Sequence, residues 1–144
     1  MNRTRPTQSR QLSRRGTAAT EFALVLPVLI AIVMGCVDVG RGIHTKIALT
    51  NAVREGALYG ATTGFTTYTE TTWKTEIRER VTDEMSNVNG FVPGDLTVNV
   101  ETSEYEDEVC LTVIGNYEFE TIIHWPGIPQ QIKLRHEIQL QRYR

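Results

Sequence analysis

The residue of greatest chemical consequence in this sequence is Glu21, an acid at the start of a long apolar stretch. Residues 22–37, here called the apolar segment, carry no charged side chain, and after Arg15 the next basic residue is Arg41. A carboxylate placed in a membrane costs up to a few kcal/mol unless a cation lies beside it. Glu21 is therefore predicted to be a functional residue that pairs with a cation.

Two partners for Glu21 remain open. The acid can sit at the depth of the lipid headgroups, close to Arg14 and Arg15. Alternatively, a cut after Gly16 would make Thr17 the new N-terminus and Glu21 the fifth residue of the mature chain. The ammonium group of a neighbouring subunit would then neutralise the carboxylate in a low-dielectric medium. This second alternative makes Gly16 and Thr17 the processing site and couples subunit contact to extraction from the membrane.

Other chemistry is weakly represented. His44, His124 and His136 lie on separate predicted elements, and no HExxH, CxxC, phosphate-loop or nucleophile-elbow pattern is present. The acids between Glu101 and Glu108 would suit calcium or a basic partner, but their spacing is not that of an EF-hand, and a solvated hairpin tip is favoured. With Cys36 and Cys110 as the only cysteines, the chain is predicted to have no catalytic residue, no metal site and no cofactor.

The apolar segment is long enough for a membrane span. Together with Thr17 to Thr20 it makes about twenty residues, or about 30 Å of helix. Five arginines precede it and Asp38 follows it, so the positive-inside rule predicts a cytoplasmic N-terminus. A plain signal anchor and a pilin-type leader both retain this helix, whereas a cleaved secretory signal is disfavoured by its length.

Charge and length define the domain organisation. The 144-residue chain has a net charge of -2, but after Gly16 it holds 10 basic against 17 acidic residues, a net charge of -7. Such acidity argues against nucleic acid as a partner of the folded part. We expect a basic cytoplasmic leader over 1–16, a transmembrane helix over 17–38 and one extracytoplasmic or periplasmic domain over 39–144, held in the inner membrane by a single pass.

Helical periodicity continues beyond the apolar segment. Val39, Ile43, Ile47, Leu49, Val53 and Ala57 are predicted to share one face, with Asp38, Arg41, His44, Asn51 and Glu55 opposite. Gly56, Gly60 and Gly64 are predicted to fray the end of this helix. Thr67 to Glu70 matches a capping box that would begin a second helix.

The second helix is predicted from a stripe at four-residue spacing, Trp73, Ile77, Val81 and Met85. Glu70–Lys74 and Glu76–Arg80 pairs would support its solvent side, and Asn87 to Gly90 would end it. Residues with alternating polarity then predict three antiparallel strands, over 96–100, 109–119 with a bulge at Gly115, and 132–140, with a turn at Trp125 to Pro129. The predicted class is α+β and pilin-like: a long N-terminal transmembrane helix continuing into an amphipathic helix, a second helix, and a three-stranded antiparallel sheet.

The stretch from Arg14 to Pro27 resembles the N-terminus of the TadE-like family, the pseudopilin-like components of the tight adherence, or Flp pilus, machinery. The resemblance extends through Asp38 to Arg41 and Asn51 to Ala57, and weakly into the strands. The family's glycine before the cut corresponds to Gly16, and its acid at mature position five corresponds to Glu21. Major Flp pilins are shorter and carry tyrosine after this glutamate, so Phe22 and the long outer domain indicate a minor component.

The resemblance implies a structural role in pilus biogenesis within a tight adherence secretion system, and no enzymatic activity. It implies cleavage by prepilin peptidase and assembly through Glu21 and Phe22. The implied partners are other pilins or pseudopilins, the inner-membrane secretion platform and membrane lipid. The alternative is a signal-anchored extracytoplasmic binding module unrelated to a pilus; a membrane-tethered hydrolase has little support from the residues.

Overall fold

A computed structural model of the chain describes residues 9–105, 108–124, 127 and 129–142. Helix α1 spans Ser9–Thr62 and helix α2 spans Glu70–Ser86, and a short 3-10 turn, Pro93–Asp95, leads into the strands. The strands are β1 (Leu96–Tyr105), β2 (Glu108–Glu120) and β3 (Gln131–Arg142). This order confirms the predicted α+β class. The chain divides into two compact units, Met1–Asp38 and Val39–Arg144, here called the first and second units.

The sheet of the second unit has the order β1-β2-β3 with both pairs antiparallel. Its register is continuous at Gly115, which pairs with Val98 on one side and His136 on the other. The predicted bulge at Gly115 is therefore wrong. A Cβ at this position would lie 2.5 Å from Cγ2 of Val53, so the glycine serves instead to let α1 pack close to the strand.

The core of the second unit lies between the two helices and one face of the sheet. Helix α1 contributes Leu49, Val53 and Ala57, each fully buried. From the sheet come Val100, Leu111, Val113, Tyr117 and Phe119. The strands bury these residues at every second position, as a sheet with one apolar face requires.

The predicted apolar face of α1 is partly wrong, because Val39, Ile43 and Ile47 are more than half exposed. Ile47 and Leu49 are two residues apart, about 200° around a helix, so they cannot face the same core. Asp38, predicted on the solvent side, is only 4% exposed.

The glycines near the end of α1 do not fray it, since the helix continues to Thr62. A Cβ on Gly56 would lie 2.5 Å from Cγ2 of Val81 in α2. A Cβ on Gly60 would lie 2.5 Å from Cδ2 of Leu111 in β2. Both glycines mark places where the helix backbone comes close to its neighbours, and the prediction of fraying is corrected accordingly.

Helix α2 buries its predicted stripe, Trp73, Ile77, Val81 and Met85, and ends at Ser86 as expected. The predicted capping box is wrong: Thr69 is the N-cap residue and makes no side-chain cap bond. Its hydroxyl instead accepts a hydrogen bond of 2.8 Å from the Thr66 amide, within the turn that precedes the helix. Glu70 and Lys74 form the predicted ion pair at 2.6 Å.

Part of the predicted loop structure lies outside the described residues. This applies to Trp125, Pro126 and Ile128 of the predicted turn. It also applies to Glu106 and Asp107 at the acidic hairpin tip, and to the side chains of Glu104 and Glu108. The role of the acidic loop therefore stays a prediction.

Candidate functional site in the N-terminal helix

All four residues predicted to act in processing and assembly lie on α1 within the first unit: Gly16, Thr17, Glu21 and Phe22. Thr17 and Glu21 are four residues apart, so they lie one turn from each other on the same face. The hydroxyl of Thr20 donates a hydrogen bond of 2.8 Å to the Thr17 carbonyl, which supports the helix at this turn. The predicted new N-terminus, Thr17, and the acid, Glu21, therefore lie on the same face of the helix, one turn apart.

The helix surface around Glu21 is exposed on all sides. Phe22 is 60% exposed and Leu24 is 78% exposed, and Leu26, which is 39% exposed, is among the least exposed large apolar side chains of the segment. A helix in a soluble core would bury one stripe of such residues. The part of α1 from Gly16 onward contains a stretch long and apolar enough to cross a membrane, which is consistent with a membrane-anchored protein.

Space around Gly16 is open, because a Cβ built on this residue would meet no atom within 4 Å. A larger side chain at this position therefore disturbs no packing within the described chain. The side chains of Arg14 and Arg15 lie outside the described residues, so headgroup-level pairing of Glu21 with them remains a prediction.

In the second unit, an open cleft of about 650 Å³ is lined by His44, for which the sequence predicted no catalytic or metal-binding role. The Arg41 guanidinium lies 5.2 Å from the centroid of the Phe119 ring at this cleft. The Thr121 hydroxyl donates to the carbonyls of Ile123 and Gln130, at 3.1 and 3.3 Å. These contacts hold the end of β2 in place, and none of them joins a nucleophile to a base.

The three histidines lie on separate elements: His44 is on α1, His124 is in the loop after β2, and His136 is on β3. Among the described residues no group of three His, Cys, Asp or Glu side chains is arranged to hold a metal ion. Burial lowers the pKa of His136, and the nearby positive charge of Lys46 lowers it further. This is the behaviour of a histidine packed against a helix.

An acidic groove between α1 and α2 was not foreseen from the sequence. Glu76 lines it, and its carboxylate accepts a hydrogen bond of 2.6 Å from the Tyr59 hydroxyl instead of pairing with Arg80 as predicted. The Arg80 guanidinium lies over the Tyr59 ring, 4.2 Å from its centroid. The bond to Glu76 is the main cause that raises the pKa of Tyr59. The cluster joins two helices and has the character of a packing contact.

Comparison with known proteins finds one family match, which lies in helix α1. The family model described as TadE-like protein matches residues 16–58. This match begins at the predicted processing glycine and includes Glu21, Phe22 and the whole apolar segment. The family suggests a component associated with the Tad pilus, and it is known for a structural role and not as an enzyme.

No curated protein and no solved structure matches the chain. The family match lies within α1 and does not include α2 or the strands. Over residues 16–58 the predicted TadE-like identity is confirmed, and this stretch of α1 is a TadE-like segment.

Proposed function

We propose that this chain is a TadE-like pseudopilin, a pilus-assembly component of a tight adherence secretion system. One observation carries the proposal: Glu21 stands five residues after Gly16 and directly before the apolar segment, whose large apolar side chains are all exposed. A lone carboxylate on such a surface requires a cation from outside the helix once it enters lipid. Removal of the leader creates that cation at Thr17.

In this proposal, membrane insertion comes first, cleavage by prepilin peptidase second and subunit association third. The basic leader keeps the N-terminus in the cytoplasm, and the apolar segment anchors the chain in the inner membrane with the second unit on the opposite side. Cleavage after Gly16 then exposes the Thr17 ammonium. In a low-dielectric medium an ammonium and a carboxylate on adjacent helices attract strongly, so the pair draws mature subunits together.

The partners follow from this chemistry. Other pilins or pseudopilins with a free N-terminal ammonium are recognised by Glu21, and Phe22 adds apolar contact area beside it. The inner-membrane secretion platform extracts the assembled helices from lipid. Because the second unit carries net negative charge, nucleic acid is not among the proposed partners.

Cleavage is tested by the intact mass of the full chain, expressed in cells that contain a prepilin peptidase. We expect a chain that begins at Thr17, sixteen residues shorter than the sequence. Gly16→Val should remain uncut. Gly40→Val is the matched control, because a Cβ at Gly40 also meets nothing within 4 Å, and it should be cut normally. A wild-type chain that keeps Met1 would contradict the proposal and leave the signal-anchored binding module.

Assembly is tested separately with Glu21→Gln, which keeps the shape of the side chain and removes its charge. This variant should be cleaved but should lose co-purification with other pilins and lose surface pili. Glu84→Gln changes another exposed acid and should behave as wild type. If Glu21→Gln assembled normally, the ion pair would not be the basis of assembly.

A further inference from the structure

The outer edge of β3 is the surface of the second unit with the clearest unmet bonding capacity. In the described sheet β3 pairs with β2 alone, over the positions from Val109–Arg142 to Glu120–Gln131. A strand at a sheet edge presents unpaired amide and carbonyl groups to any chain that approaches. The Lys46 ammonium of α1 donates to the carbonyl of Arg135, so this group of the edge already has a partner, which an added strand would displace.

Partly exposed apolar side chains lie near this edge, both on β3 itself and on helix α1. Leu134, Ile138 and Leu140 of β3 are only partly buried against the core, and Ile132 is 36% exposed. On α1, Ile43 and Ile47 are 57% and 56% exposed. Ile43 lies three residues before Lys46 and therefore on the same side of the helix, the side that contacts β3.

We propose that a second copy of this chain pairs with β3 as an antiparallel strand centred on His136, extending the sheet and placing its apolar residues beneath Ile43 and Ile47. The inference concerns the second unit and does not depend on leader cleavage or on Glu21. The charges along β3 select both the partner and the register.

Side chains on the outer face of β3 are complementary under this pairing. With His136 facing itself, Arg135 faces Glu137 of the second copy, and Glu137 faces the second copy's Arg135. Within one chain these two side chains already form an ion pair of 2.8 Å. The dimer would therefore gather two arginines and two glutamates of alternating sign, a favourable arrangement for opposed cross-strand residues.

Neighbouring registers lack this complementarity. Centring the pair on Arg135 would oppose two arginines, and centring it on Glu137 would oppose two glutamates, both of which are unfavourable. A register shifted by an odd number of residues would turn the apolar residues toward solvent. The register centred on His136 also uses the strand from Gln131 to Gln141, nearly its whole length.

The other sheet edge, on β1, does not offer the same match. Its described charged side chain is Glu101, so two β1 strands could form no ion pair between their described side chains. Each edge strand accepts one helix side-chain bond, at Arg135 from Lys46 and at Val98 from Arg78, so the charges distinguish the two edges. The observations therefore favour β3.

Register-specific disulfide formation tests the proposal in the full chain. Cys36 and Cys110 are replaced by serine, and two differently tagged chains are co-expressed in membranes and oxidised. Lys133→Cys in one chain and Gln139→Cys in the other should cross-link, because these exposed positions face each other, about 5 Å apart, within disulfide range. Lys133→Cys with Gln131→Cys is the matched control, since these positions would lie about 26 Å apart at 3.3 Å per residue.

Charge exchange gives the second arm of the test. Arg135→Glu alone and Glu137→Arg alone should each lower the cross-linking yield several-fold, because each opposes like charges. The two changes together in one chain, or the two single variants mixed, should restore the yield. Resistance to trypsin verifies that each variant is folded. The proposal is overturned if Lys133→Cys and Gln139→Cys do not cross-link, if the control pair cross-links equally, or if charge exchange has no effect.

Discussion

Two stretches of helix α1, one in each unit, carry large apolar side chains in opposite surroundings. In the first unit, Leu24 and Phe22 are 78% and 60% exposed. In the second unit, Leu49 and Val53 are fully buried against the sheet and α2. The comparison shows that apolar composition alone identifies residues that avoid water, without saying whether lipid or the protein's own core covers them.

The charges and the small residues distinguish the two stretches. Asn51, Arg54 and Glu55 interrupt the buried stretch on its solvent side, whereas the apolar segment has no charge on any side. The buried stretch also contains Gly56 and Gly60, which let neighbouring elements approach the helix backbone. A helix packed against protein needs a narrow, closely fitted face, while a helix in lipid needs apolar residues all round.

Leucine truncation is expected to give the largest contrast between the two stretches. Leu49→Ala should lower the free energy of unfolding of the second unit by about 2 to 5 kcal/mol, because it leaves a cavity beside Gly115 and the core. Leu29→Ala, in the apolar segment, should leave that free energy nearly unchanged. Chemical denaturation of the detergent-solubilised full chain, followed by circular dichroism, measures both.

Equal losses for the two leucine variants would contradict the comparison, because they would mean that the apolar segment also supports the fold of the second unit. Leu49→Met serves as a volume-conserving control, and it should cost less than about 1.5 kcal/mol.

Within the second unit, two glycines of α1 should separate a closely packed stretch of helix backbone from an open one, because alanine is expected to change stability in opposite directions at the two positions. Gly56→Ala places a methyl group 2.5 Å from Cγ2 of Val81 and 3.3 Å from the Ile77 carbonyl oxygen, so we expect a net loss of about 1 to 2 kcal/mol. Gly40→Ala meets no atom within 4 Å and should gain up to about 1 kcal/mol from helix propensity. The same denaturation experiment compares them, and a stabilising Gly56→Ala would show that the helices do not pack this closely.

Much of the architecture was predictable from the sequence because it follows from periodicity. The four-residue spacing from Trp73 to Met85 is confirmed as a buried stripe, and alternation around Val113 is confirmed as a strand. The TadE-like segment was identifiable because the glycine-to-glutamate spacing, the basic head and the apolar segment stand together in one short stretch.

The errors at the glycines concern contacts between elements distant in sequence. The bulge at Gly115 and the fraying at Gly56 and Gly60 were inferred from local glycine preference, whereas tertiary packing of α1 decides all three. The Tyr59–Glu76 bond joins residues on two helices, so no local pattern indicates it. Paired glycines four residues apart within a strongly helical stretch are the available signal of close packing.

The smallest expected effect concerns pH and separates the second unit from the first, which has no histidine. His136 lies on the core side of β3 opposite Gly115, its Nε2 atom is buried, and Lys46 is the charged group that faces it from α1. Burial and Lys46 lower its pKa in the folded protein, so the unfolded chain binds the proton more readily. The contribution of neutral His136 to the free energy of unfolding is complete above the unfolded pKa of about 6.5. It declines as the pH falls below that value, by at most about 1.4 kcal/mol per pH unit.

Denaturation of the wild type and of His136→Gln between pH 8 and pH 5 should show a steeper decline of this free energy for the wild type. Parallel curves for the two proteins would mean that His136 takes up its proton equally in the folded and unfolded states, and that the helix does not cover this strand as the structure has it.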